Sequence, residues 1–333
     1  LSAEWLLSEA CGLSRIELYV NFDRPLSMDE RDVLRGFVTR RGRGEPLQYI
    51  TGEAAFRHIT VKVRPGVLIP RPETEVLVSV ALALLPPAHK RVALDSTIDA
   101  WEGDVLIDAQ TAAAEAAQGD EAENPEAIQQ SKQAIRAFLA GQNGEAAESA
   151  AQQQVPAKPR PLLVADICTG SGCIACSIAY ERPDVRLIAT DIAPEAVALA
   201  RENAEQLGLS GRVRVEQCDL GAGIPAAAIG RLDLVVSNPP YVPTAVLASI
   251  PREVADFEPA LALDGGRDGN DVLRRLLPWT MQALRPGGGF AFELHETCLD
   301  QAAELARQAG FTQVKITNDL SQRPRVLSGR KPV

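Results

Sequence analysis

Leu162-Leu163-Val164-Ala165-Asp166-Ile167-Cys168-Thr169-Gly170-Ser171-Gly172 decides the reading of this chain. An apolar run of strand length, Leu162–Ile167, ends in a turn with glycines at 170 and 172, and a helix follows at Ile174. Glycines there let the backbone pass close to a ligand, and the helix start presents free N–H groups. The pattern repeats downstream. Apolar runs at Val185–Thr190, Val213–Val215 and Leu232–Val236 are separated by helical stretches, among them Pro194–Leu207, with Pro in the first turn and Gly208 at the stop. Strands alternating with helices predict a parallel, doubly wound α/β sheet. The last part differs. Gly289–Leu294, a helix from about Cys298 to Gln308, Thr312–Thr317 and Arg325–Ser328 complete seven strands, and only Asn318 to Pro324 joins the final two. So short a link predicts an antiparallel pair closing the sheet.

The glycine turn alone is a weak signal, because dinucleotide sites share it. Ala175 stands at the third glycine position, which some of those sites tolerate, and Asp191 ends the second strand nineteen residues after Gly172. A carboxylate there suits two ribose hydroxyls. The pair fits either NAD or S-adenosylmethionine. Asn238-Pro239-Pro240-Tyr241, directly after the fourth strand, breaks the tie. Strand ends at the carboxyl edge of such a sheet are where ligands bind, so this motif faces the crevice of Gly170 and Asp191. Two prolines fix the backbone and leave the carbonyls of Asn238 and Pro239 as rigid acceptors. The Asn238 side chain adds another acceptor, and Tyr241 a flat face. Such a site suits a planar –NH2 group held by its protons while its nitrogen meets a methyl donor.

Upstream, Trp5, Leu6, Leu7, Leu13, Ile16 and Leu18, then Val33, Leu34, Phe37 and Val38, recur at helical spacing, and Ser27 with Glu30 forms a capping-box pair. They predict a small helical domain over residues 1–45. Between Pro46 and Val63, Tyr49, Ile50, Phe56, Ile59, Val61 and Val63 alternate in part with polar residues, predicting a β-hairpin linker over 46–75. The remainder, 76–333, is the catalytic domain, interrupted at about 86–161 by a stretch rich in Ala, Gln and Glu. That composition buries little and reads as a solvated surface insertion in which Val105–Ile107 and Ala134–Leu139 form short amphipathic pieces.

The 333 residues carry 34 Lys and Arg against 44 Asp and Glu, a net charge of −10. Between Pro86 and Pro161 there are 12 acidic and 6 basic residues, so more than half of that charge belongs to the insertion. It therefore says little about the surface that meets a substrate. Six irregularly spaced cysteines argue for a reducing, cytoplasmic setting rather than a disulfide scaffold. No apolar run reaches the roughly 18 residues a membrane span needs. Cys173 and Cys176 form a lone CxxC inside a helix, and His58, His89 and His295 are scattered, so no metal site is expected. Arg40, Arg41 and Arg43 read as a solvated basic turn, with contact to a partner as the alternative.

Asn238-Pro239-Pro240-Tyr241 resembles the signature of S-adenosylmethionine-dependent enzymes that methylate amide or exocyclic amine nitrogens. Gly44–Gly52, Leu68–Glu75, Glu258–Gly269 and the closing Asp319-Leu320 to Arg325-Val326 are similar to the release-factor glutamine methyltransferases. The resemblance covers nearly the whole chain outside Pro86–Pro161. It implies a class I methyltransferase sheet, and an N-terminal helical domain that helps recognise a peptide-chain release factor. The reaction it implies is methylation of the glutamine in that factor's Gly-Gly-Gln loop by a cytoplasmic, monomeric enzyme. Carried over, Cys168, Thr169, Gly170, Ser171 and Gly172 would wrap the methionine part of S-adenosylmethionine, Asp191 the ribose, and Asp219 with Leu220 the adenine. Asn238, Pro239, Pro240 and Tyr241 would hold the glutamine, with the Asn238 side-chain oxygen and the Pro239 carbonyl accepting its amide protons, and Asn238 would also touch the cofactor. Arg71 to Thr74 would shape the cleft floor. Departures stand at Cys168, where Gly is usual, at Leu220, where an aromatic is frequent, at Leu294 to Thr297, and at Gln322 to Arg325. The alternatives are an amine methyltransferase acting on DNA adenine or on a ribosomal-protein glutamine, and a binding module without catalysis. The absence of a basic recognition domain argues against DNA.

Overall fold

The computed structural model describes residues 2–87 and 160–333. All but the ends of the acidic stretch, with its Val105–Ile107 and Ala134–Leu139 pieces, and also His89, lie outside the described residues. The N-terminal part holds α1 (Ser2–Cys11), α2 (Arg15–Val20) and α3 (Met28–Gly42). Ser27 caps α3 as the sequence predicts: its hydroxyl accepts the Glu30 N–H at 3.1 Å, and the Glu30 carboxylate accepts the Ser27 N–H at 2.8 Å. Ser14 and Glu17 build the same box at α2, at 3.3 and 2.7 Å. Each cap contributes about 1 kcal/mol to these short helices, whose own core is slight. Leu6 is the residue of the three that is fully buried among those described.

The expected hairpin over Pro46–Val63 is shorter than its sequence pattern. Leu47–Thr51 forms a helix, α4, which Pro46 starts and Gly52 ends. Tyr49 and Ile50 are adjacent and both buried, and the Gly52 N–H closes the turn on the Gln48 carbonyl. The strands are β1 (Glu53–Phe56) and β2 (Ile59–Lys62), paired Glu53 with Lys62 and Phe56 with Ile59. Phe56, Ile59, Val61 and Val63 enter one core with Leu77 of the next helix, α5 (Thr74–Leu84), and with sheet residues Val164, Leu187 and Leu234.

The large sheet holds β3 (Leu162–Ile167), β4 (Val185–Asp191), β5 (Val213–Gln217), β6 (Leu232–Ser237), β7 (Leu284–Glu293), β8 (Thr312–Asn318) and β9 (Pro324–Arg330). Their order is β5-β4-β3-β6-β7-β9-β8. The central strands are buried on both faces, as parallel strands covered by helices must be. Those helices include α6 (Cys173–Glu181), α7 (Pro194–Gln206), α9 (Asp271–Ala283) and α10 (Leu299–Gln308), with the short α8 (Arg252–Ala255) in the loop beyond β6. β9 runs antiparallel to both neighbours and lies between β7 and β8, so the closing pair inserts its last strand. Cys173 and Cys176 are buried in α6 as ordinary core residues.

Strand order reverses between β3 and β6, which opens a crevice at their carboxyl ends. The hairpin is fixed beside it. Asn203, fully buried on α7, accepts the Lys62 N–H at 2.8 Å and donates to the Lys62 and Ser171 carbonyls at 3.1 and 2.8 Å. Arg57 grips the Glu181 carboxylate with two bonds of 2.6 and 2.8 Å. Among the described residues no helix is long and apolar enough to cross a membrane.

Candidate active site

The first strand of the parallel sheet delivers its turn directly into the crevice. Asp166, fully buried at the end of β3, anchors it: one carboxylate oxygen accepts the Thr169 hydroxyl at 2.6 Å and the Ala175 N–H at 3.1 Å. Its second oxygen accepts no hydrogen bond, and burial pushes the carboxyl up to about 7. Cys168, with φ +60°, holds a left-handed conformation that favours glycine, and burial raises its thiol. Gly172 has a different task from the one expected of it. A Cβ there would lie 3.0 Å from the Ala200 side chain and 3.1 Å from its backbone, so this glycine lets α6 approach α7 rather than a ligand. It does not line the cleft, whereas Cys168, Thr169, Gly170 and Ser171 do.

Asp191 ends β4 on the opposite wall. Its carboxylate accepts the Gly170 N–H at 2.9 Å and the Ala193 N–H at 3.0 Å, one on each oxygen. A lone pair remains on each oxygen for a ligand hydroxyl. Burial raises this carboxyl although the backbone N–H groups of Ala193, Gly170 and Ile192 lower it. Asp219 and Leu220 line the same cleft, and Asp219 is paired with Arg275 of α9. The remaining wall comes from residues that no motif reading placed there, including Val67, Ile69, Leu261 and Val272.

The Asn-Pro-Pro-Tyr turn leaves β6 at the reversal point. The Ser237 hydroxyl donates to the Ile167 carbonyl at 2.6 Å and holds the ends of β6 and β3 together. Asn238 and Pro240 line the cleft, and the Asn238 amide nitrogen donates to the Thr74 hydroxyl at 3.4 Å. That bond leaves the Asn238 side-chain oxygen as the group without this anchor. Thr74 is buried at the start of α5 and lines the cleft with Arg71, so the Arg71–Thr74 segment does form part of its wall. Pro239 is buried and does not line the cleft. Tyr241 turns to a neighbouring crevice, where its hydroxyl donates to Glu293 at the end of β7 at 3.2 Å. Burial, with that carboxylate, raises the Tyr241 hydroxyl above its ordinary value.

The Glu258–Gly269 segment buttresses this turn from behind. Val242 exchanges bonds with Leu263 and Gly265 at 2.8 Å, and a Cβ on Gly265 would lie 2.6 Å from the Tyr241 backbone. Only glycine fits there. Arg40 and Arg41 are not the solvated turn the sequence predicts. Arg40 pairs with Glu45 and donates to the Tyr49 carbonyl at 3.1 Å, and Arg41 pairs at 3.1 Å with Glu253 of α8. Arg41 thus ties the helical part to the loop that follows the Asn-Pro-Pro-Tyr turn, while Arg43 stays exposed. Among the described residues no three His, Cys, Asp or Glu are grouped to hold a metal.

Comparison with known proteins agrees with this arrangement. Residues 1–52 match the PrmC N-terminal domain, and residues 151–251 match the methyltransferase small domain. The chain is 33% identical to the release factor glutamine methyltransferase of Geobacter sulfurreducens, over 99% of this chain and 89% of that one. It is equally identical to the enzymes of that name from Koribacter versatilis, over 100% and 91%, and Moorella thermoacetica, over 98% and 89%. With so much of both chains aligned, across the helical part as well as the sheet, this protein belongs to the release factor glutamine methyltransferase family.

Proposed function

We propose that the protein transfers a methyl group from S-adenosylmethionine to the side-chain amide nitrogen of the glutamine in the Gly-Gly-Gln loop of a peptide-chain release factor. The observation that carries this reading is the Asn-Pro-Pro-Tyr turn at the carboxyl end of β6, with Asn238 anchored on Thr74 and opening on the cleft that Asp191 shares. The residues present fit the cofactor. Asp191 keeps a lone pair on each oxygen for a vicinal diol, and Gly170 leaves open space in which an added Cβ would meet Val67 only at 3.9 Å. The apolar walls from Val67, Ile69 and Leu220 suit a planar base, with Asp219 beside them. S-adenosylmethionine supplies an activated methyl on a positively charged sulfur.

An amide nitrogen is a poor nucleophile because its lone pair is delocalised into the carbonyl, so the chain's task is placement. The Asn238 side-chain oxygen accepts one amide proton of the substrate where it opens on the cleft, and the Pro239 carbonyl, whose residue lies buried off the cleft wall, accepts the second once the substrate enters the turn, so that the two fix the direction of its nitrogen. Positive charge that grows on that nitrogen meets the same two fixed dipoles, each worth on the order of 10²-fold in rate. Tyr241, held by Glu293 in the neighbouring crevice, braces the turn from which Asn238 reaches the cleft. Transfer of the methyl would leave the sulfur as a neutral thioether, and one proton of the now cationic nitrogen would pass to solvent, so no step requires a strong base.

The release factor is the partner that the helical part serves. Its α2 and the loops around it leave Ile16, Tyr19, Val20 and Phe22 exposed, Phe22 at 84%, an apolar surface that a protein partner would cover. The working form is a cytoplasmic monomer that acts on protein rather than nucleic acid. Incubation with labelled cofactor and either a release factor or duplex DNA tests the reading. Label on the release factor, lost in Asn238→Ala while cofactor binding persists, is the expected result, and preferential label on DNA would overturn it.

A further inference from the structure

The turn that follows β5 is seated on one face of α9. Arg275 and Trp279 stand four residues apart on that helix, one turn from each other, and both meet this turn. Arg275 donates to Oδ2 of Asp219 at 2.5 Å. Gly221 is buried against the Trp279 indole, which an added Cβ would strike. Inside the turn the Ala222 N–H donates to the Asp219 carbonyl at 3.2 Å and the Cys218 thiol to the Leu220 carbonyl at 3.2 Å, with Leu220 left-handed at φ +50°. The backbone of residues 218–222 is therefore held without Arg275, whose bond bears on the Asp219 side chain.

An ion pair as open as this one, with side chains 58% and 48% exposed, adds little to stability. Its place gives it another use. Arg275 and Asp219 both line the cofactor cleft, with Leu220 and Val272 beside them. The ends of β4 and β5 pair Asp191 with Gln217, and the Cys218 N–H donates to the Asp191 carbonyl at 3.0 Å, so Asp219 stands next along the strand ends from the carboxylate suited to the ribose. A base joined to that ribose and lying along this edge meets Asp219. Arg275 takes Oδ2, while Oδ1 has no hydrogen-bond partner among the described residues and belongs to a side chain open to solvent. We propose, resting on the S-adenosylmethionine reading, that Arg275 is a positioning residue: by holding Oδ2 it aims Oδ1 of Asp219 at the exocyclic amine of the cofactor's base and so selects a 6-aminopurine. A carboxylate already held at one oxygen gives up less freedom when the other binds.

Calorimetry on the full chain tests this with two ligands, S-adenosylhomocysteine, which is the demethylated cofactor, and its analogue bearing hydrogen in place of the 6-amino group. Wild type should prefer the amino compound about tenfold, the lower end of what one hydrogen bond to a charged group is worth. Arg275→Met removes the guanidinium and keeps an unbranched stem. In it the preference should fall below about threefold, with affinity for the deamino analogue within about twofold of wild type. Asp219→Ala should abolish the preference, and the double variant should behave like Asp219→Ala alone. A merely structural role for Arg275 would weaken both ligands together and leave their ratio intact. Equal affinity of wild type for the two ligands, a preference kept within about twofold of wild type in Arg275→Met, or one that survives Asp219→Ala and disappears only with Arg275 would each overturn the proposal. Arg275→Ala takes the place of Arg275→Met should the latter fail to fold. Wild-type enzyme that binds neither ligand would instead refute the cofactor reading, so the two failures are distinguishable.

Discussion

Thr74→Val removes one hydroxyl and almost no volume, and it asks whether the orientation of Asn238 is set by its anchor. The Asn238 amide nitrogen donates to the Thr74 hydroxyl, which leaves the amide oxygen to serve the substrate. Valine offers no acceptor, so the nitrogen is left unpaired on that side, and the two amide orientations become closer in energy. A full-strength buried bond would cost roughly 1–3 kcal/mol to lose. At 3.4 Å this one is long, which places it near the lower end, about 1 kcal/mol. Roughly a five- to tenfold fall in kcat follows, since about 1.4 kcal/mol is one factor of ten. Cofactor affinity should stay within about twofold, because Asp191 and the glycine turn are untouched. Single-turnover methyl transfer to a release factor at saturating cofactor, with cofactor titrated separately by calorimetry, measures both quantities. Turnover within twofold of wild type, with the variant folded, would refute the claim that Thr74 orients the amide.

Three further outcomes follow from the same geometry. Asp191→Ala should weaken cofactor binding about 100-fold, the worth of two charge-assisted bonds, and a calorimetric shift below about threefold would contradict the ribose assignment. Cys168→Gly relieves a left-handed residue that costs about 1–2 kcal/mol and gives back part of that through a more flexible unfolded chain. A melting temperature higher by about 2 °C is expected, and a lower one would show that the thiol contributes packing worth more than the strain. Asp166 sets a pH dependence. Its folded carboxyl titrates at about 7, well above an ordinary aspartate, so its contribution to stability is intact below about pH 4 and declines as pH rises through about 7. Denaturant titrations of Asp166→Asn should show that decline flattened over pH 4 to 7, and parallel curves for variant and wild type would remove Asp166 as its source.

Strands β3, β4 and β6 were legible because each is buried on both faces and therefore reads as a largely apolar run. Asp191 and Asn238 stand at the carboxyl ends of β4 and β6, where the strand pattern put them, and both line the cleft. Other parts left no local mark. Residues 47–51 alternate in hydrophobicity closely enough to pass for a strand, and only the backbone bonds of the folded chain, such as the Ile50 N–H to the Pro46 carbonyl, show the helix. β7 begins at Leu284, five residues before the apolar run, because Gly287, Gly288 and Gly289 hide a ladder that pairs Leu284 with Leu232. The insertion of β9 between β7 and β8 depends on packing against the whole sheet, not on the short link. Thr74 and Glu293 lie far in sequence from the turn they support, so their role exists only in the folded chain. Gly172 carried a motif signal that cannot tell two causes apart, since helix packing and ligand approach both demand glycine, and the structure shows the packing against Ala200.

Peptide mass mapping of a release factor after incubation with the enzyme and S-adenosylmethionine tests the central claim most directly. One added methyl on the side chain of the glutamine in the Gly-Gly-Gln loop, absent with Asn238→Ala, is the predicted result. An unmodified glutamine with wild-type enzyme that binds the cofactor, or a methyl placed on another residue or on nucleic acid, would contradict it.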